Sequence, residues 1–543
     1  MRSALPTVLV LLVSMPRFAA FGQTHLQDEI EQLRKQVAAQ QEQINELRRM
    51  LHEQSKLLAP TSGSPVESQS AATSERAAEA TKTAVSLQKS VTKQPAAPPP
   101  PGEIEGGKPP LALGVGPVVL APTGFIDYSQ VWRSKTVTSG LPTSFAAIPF
   151  NNTVEGQRRQ TLSSAANSRL GIQLNATVSR LSILGVVETD FLGYQPGNIA
   201  TTTNSYGMRL RLAFADVQAG KWEILGGQNW SMLTPGRKGI SALPSGLMLT
   251  QDLDPNIQSG LVWARTPQFR AVYRPRQGIA LGVAFESGEA YVGGSGGAGV
   301  ITLPSALAPN YFNQVDVGSG GLGVPNPNLD LIGKVAFDWT NWGRATHLEI
   351  AGMMNRFTFY NPLSAQQFSI MGGGGSINMG VEITKRVTLL TANFYSDGGG
   401  RFIFGEAPAL IIEGNGAPSL LHSMSTLDGV EYQATPKWKL WAYYGGTHIG
   451  KNVAIDPSNG KPVGYGYTGS PNSQNRSIQE ITAGFTRVFH RDPIFGSFQF
   501  SGQYSWLIRH PWYVASGQPG SANLSMIYLG LRYLLPAAPA AGK

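Results

Sequence analysis

The stretch Ser168–Leu192 reads SRLGIQLNATVSRLSILGVVETDFL, and its pattern decides the fold class. In the first half, apolar residues alternate with glycine or polar residues, and a second segment of similar length follows the short connection Ser179–Leu181. Strict alternation is typical of a β-strand whose two faces meet different surroundings, and a short connection makes such strands an antiparallel hairpin. The stretch therefore predicts two paired strands of about ten residues each, the length found in transmembrane barrels.

The same alternation runs from Thr123 to Leu535 and divides into sixteen segments. A soluble β-sandwich shows it too, so the connection lengths have to decide. They alternate between long and short, as in 134–167 followed by 179–181, and 288–328 followed by 340–344. Short turns on one side and long loops on the other are typical of outer-membrane barrels. We therefore predict an all-β fold, a 16-stranded antiparallel transmembrane β-barrel.

Two places test this count. The segment 258–274 contains Thr266-Pro267, which resembles a turn, but splitting it would give an odd number of strands. We keep it as one strand and expect a β-bulge at Pro267, a position where proline is tolerated in a sheet. The connection 358–374, with its glycine run, is expected to be a long loop.

The N-terminal part has a different composition. Residues 1–22 are typical of a secretory signal peptide, with Arg2, an apolar core and a small residue, Gly22, at the cleavage point. Residues 24–58 predict an N-terminal α-helical coiled coil that self-associates, although a single amphipathic helix is the alternative and the heptads alone do not separate dimer from trimer. The positions of its seam are Leu26, Ile30, Leu33, Val37, Gln40, Ile44, Leu47, Leu51, Gln54 and Leu58.

The remaining divisions follow from composition. Residues 59–112 are rich in Pro, Ala and Ser and predict a disordered linker. The barrel is expected to span 113–536, followed by a short tail, 537–543. Across 543 residues there are 63 Gly and no Cys, which excludes disulfides, iron–sulfur clusters and cysteine nucleophiles.

The predicted register places many charges in the barrel interior. One set forms a basic wall with two acids between its members: Arg169, Arg209, Arg211, Arg265, Arg270, Arg274, Glu188 and Asp190. A second set on later strands is acidic: Glu286, Asp338, Glu349, Glu382, Glu431 and Glu480. Three cations partly compensate its charge: Lys334, Lys439 and Arg532. A bore with this charge division concentrates small anions beside the arginines.

The connection 231–256 carries Arg237 and Lys238 and is expected to fold inward and narrow the bore, an ordinary surface loop being the alternative. No catalytic, cofactor or metal site is expected. The seven His residues are isolated, and no nucleophile elbow or phosphate loop occurs. His347 and Glu349 share one face and are expected to form a satisfied polar pair. Nucleic-acid binding has only the isoelectric point of about 9.5 in its favour, and the expected secretion argues against it.

Five short motifs in order along the chain resemble the DcaP-like trimeric porins of Gram-negative outer membranes. They are Gly124-Phe125-Ile126-Asp127, Ser168-Arg169-Leu170-Gly171, Glu188-Thr189-Asp190-Phe191-Leu192-Gly193, Gly227-Gln228-Asn229-Trp230 and Arg265-Thr266-Pro267-Gln268-Phe269-Arg270. The chain departs from that family in its long linker and in ending beyond Leu535-Pro536 without a terminal aromatic residue, for which Tyr533 is the substitute.

The resemblance implies a homotrimer in the cell outer membrane, in contact with its lipid, with the coiled coil in the periplasm. It also implies passive diffusion of small, preferentially anionic solutes such as dicarboxylates, without enzymatic activity. Two alternatives remain from the residues themselves. One is a structural anchor that tethers the coiled coil, and the other is a porin for neutral sugars.

Overall fold

A computed structural model of the protein describes residues 111–193, 207–294, 297–318, 324 and 326–536. The predicted signal peptide, coiled coil and C-terminal tail, and all but the last residues of the predicted linker, lie outside these residues. Within this part of the chain, no helix is long and apolar enough to cross a membrane.

Eighteen strands of the described chain form one large antiparallel sheet. Two small two-stranded sheets lie in the long connections, Leu410–Ile412 with Pro418–Leu420 and Asn452–Ile455 with Pro462–Tyr465. Two of the eighteen strands, Leu113–Val115 and Gln160–Ser164, are short additions to the first barrel strand, and the other sixteen form the barrel. In chain order the barrel strands are β1 Val118–Arg133, β2 Arg169–Val178, β3 Leu181–Asp190, β4 Arg209–Ala219, β5 Trp222–Trp230, β6 Arg265–Arg276, β7 Ile279–Ser287, β8 Leu329–Asn341, β9 Arg344–Asn361, β10 Gln366–Thr384, β11 Val387–Asp397, β12 His422–Thr435, β13 Trp438–Ile449, β14 Asn475–Asp492, β15 Gly496–Pro511 and β16 Ala522–Leu534.

The sheet closes on itself through β1 and β16. These strands pair antiparallel from Phe125 opposite Leu534 to Arg133 opposite Met526, while the first half of β1 pairs with β2. Closure gives every barrel strand two neighbours, so no long edge is left with unpaired N–H and C=O groups. The predicted sixteen-stranded antiparallel barrel is therefore confirmed.

The two faces of the sheet differ as the alternation predicts. On the outer face, large apolar side chains such as Ile172, Phe269 and Leu531 are exposed over roughly half of their surface or somewhat less. On the inner face, polar and charged side chains such as Asp127 and Glu349 are buried. An apolar exterior around a polar interior is the arrangement of a barrel that stands in lipid.

Three local expectations are wrong. First, β9 and β10 extend to Asn361 and Gln366, so the expected long connection 358–374 is a tight turn, because the glycine run lies inside β10. Second, the expected strand 258–274 is one strand, β6, but it begins only at Arg265, and 258–264 belong to the preceding connection. Pro267 is not at a bulge: it pairs with Gln228, and the register shift lies between Tyr273 and Arg276. Proline is tolerated here because the ladder between β6 and β7 begins only at the next residue.

The third correction concerns β4. Glu188 pairs with Leu212 and Thr189 with Leu210, which leaves Arg211 as the extra residue of a bulge. Arg211 and Leu212 are consecutive and both buried, so Leu212 and Phe214 point into the interior rather than outward as alternation had predicted. The bulge thus brings a guanidinium group and an apolar core residue to the same side of the wall.

Long connections fill the barrel interior and cover one end of it. We call the end that carries the long connections the outer end, and the opposite end the short-turn end. Residues from 134–168 and 231–264, including Phe145 and Leu261, form one apolar cluster with inward wall residues such as Leu225. A second cluster packs residues of 288–318, 398–421 and 450–474 against the outer part of β9. Short helices punctuate these connections at Val154–Gln157 and Ala308–Tyr311, with 3-10 turns at Phe145–Ala147, Pro244–Gly246 and Gly400–Phe402.

Candidate functional site

The connection between β5 and β6, residues 231–264, runs through the barrel interior, and we call it the inward loop. Six of its backbone N–H groups donate hydrogen bonds to inward side chains of the wall. The acceptors are Glu286 on β7, Asp338 on β8, Glu349 on β9, the Tyr443 hydroxyl on β13, Glu480 on β14 and Gln503 on β15. These acceptors lie on both halves of the wall, so the expected inward fold of this connection is confirmed.

Several of the predicted interior acids are the acceptors of these hydrogen bonds from the inward loop. Glu286 accepts from the Met232 N–H at 2.7 Å, and Glu349 accepts from the Gly236 N–H at 3.0 Å and from Lys334 at 2.9 Å. Glu480 accepts from the Ser259 N–H at 2.9 Å. Carboxyl groups bonded in this way hold the loop and do not stand free in the bore, and the second oxygen of Glu286 is buried without a partner among the described residues.

Arg237 ties the inward loop to the opposite wall. Its guanidinium donates to both carboxylate oxygens of Glu431, at 2.7 and 3.2 Å, and Glu431 also accepts from Lys439 and from the Tyr443 hydroxyl. Burial disfavours the charge of Arg237, but the attraction of Glu431 outweighs it and raises the pKa of Arg237. Lys238, its neighbour, makes no hydrogen bond or ion pair within the described residues and lines a cavity instead.

Four of the predicted wall arginines surround Asp190 and Glu188 at the outer ends of the strands, and we call this group the outer arginine cluster: Arg169, Arg209, Arg211 and Arg265. Arg209 donates twice to Asp190, at 2.8 and 3.0 Å. Arg211 donates to Asp190 and to Glu188, each at 2.7 Å. Four guanidinium groups against two carboxylates leave this region with a formal charge of +2.

Arg169 and Arg265 carry that excess. Within the described chain, neither side chain has a hydrogen bond or ion pair, and the Arg169 Nε and Arg265 Nη1 atoms are buried without an acceptor. Aromatic rings hold them instead: Arg169 lies 5.1 Å from the Phe125 ring, and Arg265 lies 5.8 and 5.7 Å from the Trp230 and Trp263 rings. Cation–π contacts position a guanidinium while its N–H donors stay available.

Arg270 and Arg274 do not join this cluster. Both pair with Glu223 of β5, at 3.2 and 2.6 Å, nearer the short-turn end of β6. Arg274 also donates to the Ile240 carbonyl of the inward loop. The single basic wall expected from the sequence is therefore two separate groups, of which only the outer one has unpaired cations.

Sequence reasoning missed the contribution of residues 398–421, which also enter the interior. Arg401 donates to Asp330 at 2.7 Å, and the Phe402 carbonyl accepts from the Trp263 N–H of the inward loop. Glu406 accepts from the Ser259 and Thr447 hydroxyls. Burial raises the pKa of Glu406 to about 7. Arg401 stands in a glycine-rich run, where the sequence carries no periodic signal that would place it.

Cavities lie on both sides of the inward loop. One of about 830 Å³ is lined by Arg209, Arg401, Glu289 and residues of the long connections, and therefore belongs to the outer end. Another of about 430 Å³ is lined by Arg237, Lys238 and His347 together with the turn at Gln277-Gly278, and belongs to the short-turn end. Charged side chains of the predicted set thus line a cavity at each end.

His347 has the environment expected of a structural polar residue. Its Nδ1 lies 2.8 Å from Asp338 and its Nε2 lies 3.2 Å from Glu349, and the side chain is buried. Both ring nitrogens are therefore satisfied by carboxylates. Among the residues that the structure describes, no group of three or more His, Cys, Asp or Glu side chains is placed to hold a metal ion.

No protein-family model matches the sequence, and no curated protein matches it. Among solved structures, the outer membrane channel DcaP of Acinetobacter baumannii is similar, with a TM-score of 0.56 and 15% identity over 77% of this chain and 97% of that one. The anion-selective porin from Comamonas acidovorans gives a TM-score of 0.43 and 11% identity over 77% of this chain and 100% of that one. OmpT of Vibrio cholerae gives a TM-score of 0.41 and 10% identity over 78% of this chain and 99% of that one.

The last two scores are too low to support an argument about this chain. The likeness to DcaP extends over nearly the whole of that channel and agrees with the closed barrel described above. At this level of identity a likeness concerns the fold alone. The described chain has the fold of the DcaP outer-membrane channel.

Proposed function

We propose that the protein is an outer-membrane porin that gives passive diffusion to small solutes with a preference for anions such as dicarboxylates. The apolar outer face, the closed barrel and the cavities on either side of the inward loop support a channel. Residues Arg169, Arg209, Arg211, Arg237, Lys238, Arg265, Arg270, Arg274, Glu188 and Asp190 belong to the proposed solute path.

The anion preference rests on one observation: the main wall acids of the interior have hydrogen-bond or ion-pair partners, whereas two of the interior arginines have none within the described part of the chain. Glu286, Glu349 and Glu480 accept hydrogen bonds from the inward loop, and Glu431 is paired with two cations. Arg169 and Arg265 have no such partners among the described residues, and they outnumber Asp252 of the inward loop, whose two carboxylate oxygens also lack a hydrogen-bond partner there. The field that a passing ion meets is therefore set by unpaired guanidinium groups, which attract carboxylates and repel cations.

The assembly is part of the same proposal. We propose a homotrimer in contact with outer-membrane lipid, directed to the envelope by residues 1–22 and joined by a periplasmic coiled coil at 24–58. The linker 59–112 would separate that coiled coil from the barrel at 113–536. Crosslinking of the full mature chain tests the trimer, and deletion of 24–58 tests whether the heptads maintain it.

Reversal potentials in a salt gradient test the function. The purified protein is placed in a planar lipid bilayer, and the sign of the potential reports whether anions or cations cross faster. Each unit charge about 10 Å from an ion contributes about 0.3 kcal/mol at an effective dielectric constant of about 40 and a Debye length of about 10 Å. Replacing Arg209 and Arg211 with Ala removes two charges, each of which favours an anion and disfavours a cation by this amount. The difference between the two ions therefore shrinks by about 1.2 kcal/mol, and the anion-to-cation permeability ratio should fall by about eightfold.

A charge-conserving pair gives the matched control. Arg209→Lys/Arg211→Lys keeps both charges and should keep most of the anion preference, whereas an equal loss in both variants would mean that geometry rather than charge is responsible. A wild-type channel that prefers cations, or that treats both ions alike, contradicts the proposal. A protein that passes no current supports the anchor for the coiled coil instead.

A further inference from the structure

We propose that a cavity beside the outer arginine cluster binds a carboxylate group carried on a flat aromatic ring. The cavity has a volume of about 360 Å³, within the range of about 300–1,000 Å³ typical of ligand pockets. We call it the Trp263 cavity, and it is lined by Leu210, Gln228, Trp263, Arg265, Arg401 and Phe404. The inference rests on the proposed function and deepens it by naming the chemical class of solute.

One side of the Trp263 cavity is a rigid aromatic surface. The rings of Trp263 and Phe404 are stacked, with centroids 4.5 Å apart and planes 17° apart. Trp230 packs against Trp263 at 5.4 Å, and Phe145 contacts Phe404 edge-on at 6.2 Å. Because the backbone N–H of Trp263 donates to the Phe402 carbonyl, the two connections that carry these rings are joined at this point.

The backbone at Phe404 supports a role for its ring. Phe404 has a φ of 46°, a left-handed conformation that is an outlier for a bulky residue. Glycine would adopt it without strain, as Gly405 does next to it at 66°. Strained backbone positions of this kind persist where the surrounding structure enforces them and are concentrated at ligand sites.

The other side of the cavity supplies a cation without a partner. Arg265 is held by the Trp230 and Trp263 rings, at 5.8 and 5.7 Å, and has no acceptor within the described residues. The second arginine, Arg401, is paired with Asp330 and lies 3.7 Å from Glu289, so its charge is already compensated. The lining includes no acid that would repel an anion.

Access to the cavity is from the outer side. Arg401 and Phe404 also line the larger outer cavity of about 830 Å³, so the two cavities adjoin at these residues. A solute that enters from outside therefore meets the Trp263–Phe404 surface beside Arg265. An aromatic ring stacks on that surface while its carboxylate reaches the planar donor fork of the guanidinium, a combination that an aliphatic acid of equal charge cannot reproduce.

The test compares benzoate with cyclohexanecarboxylate, which has the same charge and number of ring carbons but no flat π-system. Each is added to the full-length channel in a planar bilayer, and the concentration that halves the chloride current is measured. We expect the wild type to be blocked by benzoate at a concentration roughly fivefold lower, the size of effect that one ring stack provides.

Three variants separate the two parts of the site. Phe404→Leu and Trp263→Leu should bring the two half-blocking concentrations within about twofold of each other, because the aromatic surface is lost. Arg265→Gln should raise both by roughly tenfold and leave their ratio unchanged, as expected for loss of one charged hydrogen-bond partner. Phe495→Leu, at an exposed ring on a short turn, is the control and should behave as the wild type.

Failures of the two proposals give different results. Equal block by both acids in a wild-type channel that still prefers chloride over potassium overturns the Trp263 cavity and leaves the anion porin standing. A channel that prefers potassium overturns the porin proposal and this inference with it. If Phe404→Leu or Trp263→Leu does not fold, the benzoate ratio of the wild type and of Arg265→Gln still decides, because a ratio near one in both overturns the aromatic site.

Discussion

Glu406 should make the stability of the barrel depend on pH. Its side chain is 1% exposed, its Oε2 accepts from two hydroxyls, and its Oε1 has no partner within the described residues. Burial raises its pKa from 4.5 to about 7. The folded protein therefore keeps the proton in a pH range where the unfolded chain has lost it.

The sign and size follow from linkage. Between about pH 4.5 and about pH 7 the folded state binds more protons than the unfolded state, so the free energy of unfolding falls as pH rises and is constant outside this window. The contribution that is present below pH 4.5 and lost above pH 7 is about 3 kcal/mol, since a tenfold change in the proton equilibrium corresponds to about 1.4 kcal/mol.

The Glu406→Gln variant isolates this contribution. Its amide has no charge to bury, but its NH₂ group replaces an oxygen that lacks a partner, which costs about 1 kcal/mol. Compared with the wild type, the variant should be less stable by about 1 kcal/mol near pH 4.5 and more stable by about 2 kcal/mol near pH 8. The two pH curves therefore cross.

Urea titration in detergent micelles, followed by tryptophan fluorescence at several pH values, measures the free energy of unfolding. Glu413→Gln, in the same connection but only partly buried, is the matched control and should run parallel to the wild type. Parallel curves for the wild type and Glu406→Gln, with no crossing, would refute the assignment of this pH dependence to Glu406.

Three further perturbations address the loops. Gly260→Ala should displace the inward loop, because a Cβ at φ 81° would lie 2.6 Å from the Thr426 carbonyl oxygen; we expect a free energy of unfolding lower by roughly 2 kcal/mol in urea titration and a larger single-channel conductance. Arg237→Met removes the bidentate contact with Glu431 and should lower the free energy of unfolding by about 2 kcal/mol, whereas Lys238→Met should leave it unchanged; equal effects would contradict this account. Asp456 accepts hydrogen bonds from Ser305 and Ser458, which hold its pKa below the usual range. Asp456→Asn should therefore speed proteolysis of residues 450–474 at neutral pH. In the wild type, acid should speed this proteolysis only when the pH falls below the normal range of Asp pKa values.

The strands could be predicted from the sequence because alternation in a barrel is enforced by two different environments. The prediction of strands failed where this alternation is absent or misleading. The glycines of Gly372–Gly375 have no side chains to alternate, so the outer half of β10 resembled a loop. At Arg211 the alternation was regular, but a bulge shifted the facing of Leu212 and Phe214, and only the partner strand determines where a bulge occurs.

The candidate site was predictable in composition but not in connectivity. The interior placement of Glu349, Glu431 and Glu480 follows from strand parity. Their partners, however, are Gly236, Arg237 and Ser259, each more than a hundred residues away along the chain. Arg401 also has a distant partner, Asp330 on β8, which lies 71 residues away along the chain. Contacts of this kind depend on how two loops share one interior, which no local pattern encodes.

The six backbone attachments of the inward loop have an evolutionary consequence. Met232, Gly236, Gly239, Gln251, Leu253 and Ser259 are each held through their main-chain N–H, and the residues that recognise them belong to the wall. Exchanging the side chain of Met232, Gln251 or Leu253 leaves such an attachment in place, whereas exchanging one of the wall acceptors removes it. Side chains that the loop presents to a solute can therefore change during evolution while the hydrogen bonds that attach the loop to the wall stay the same.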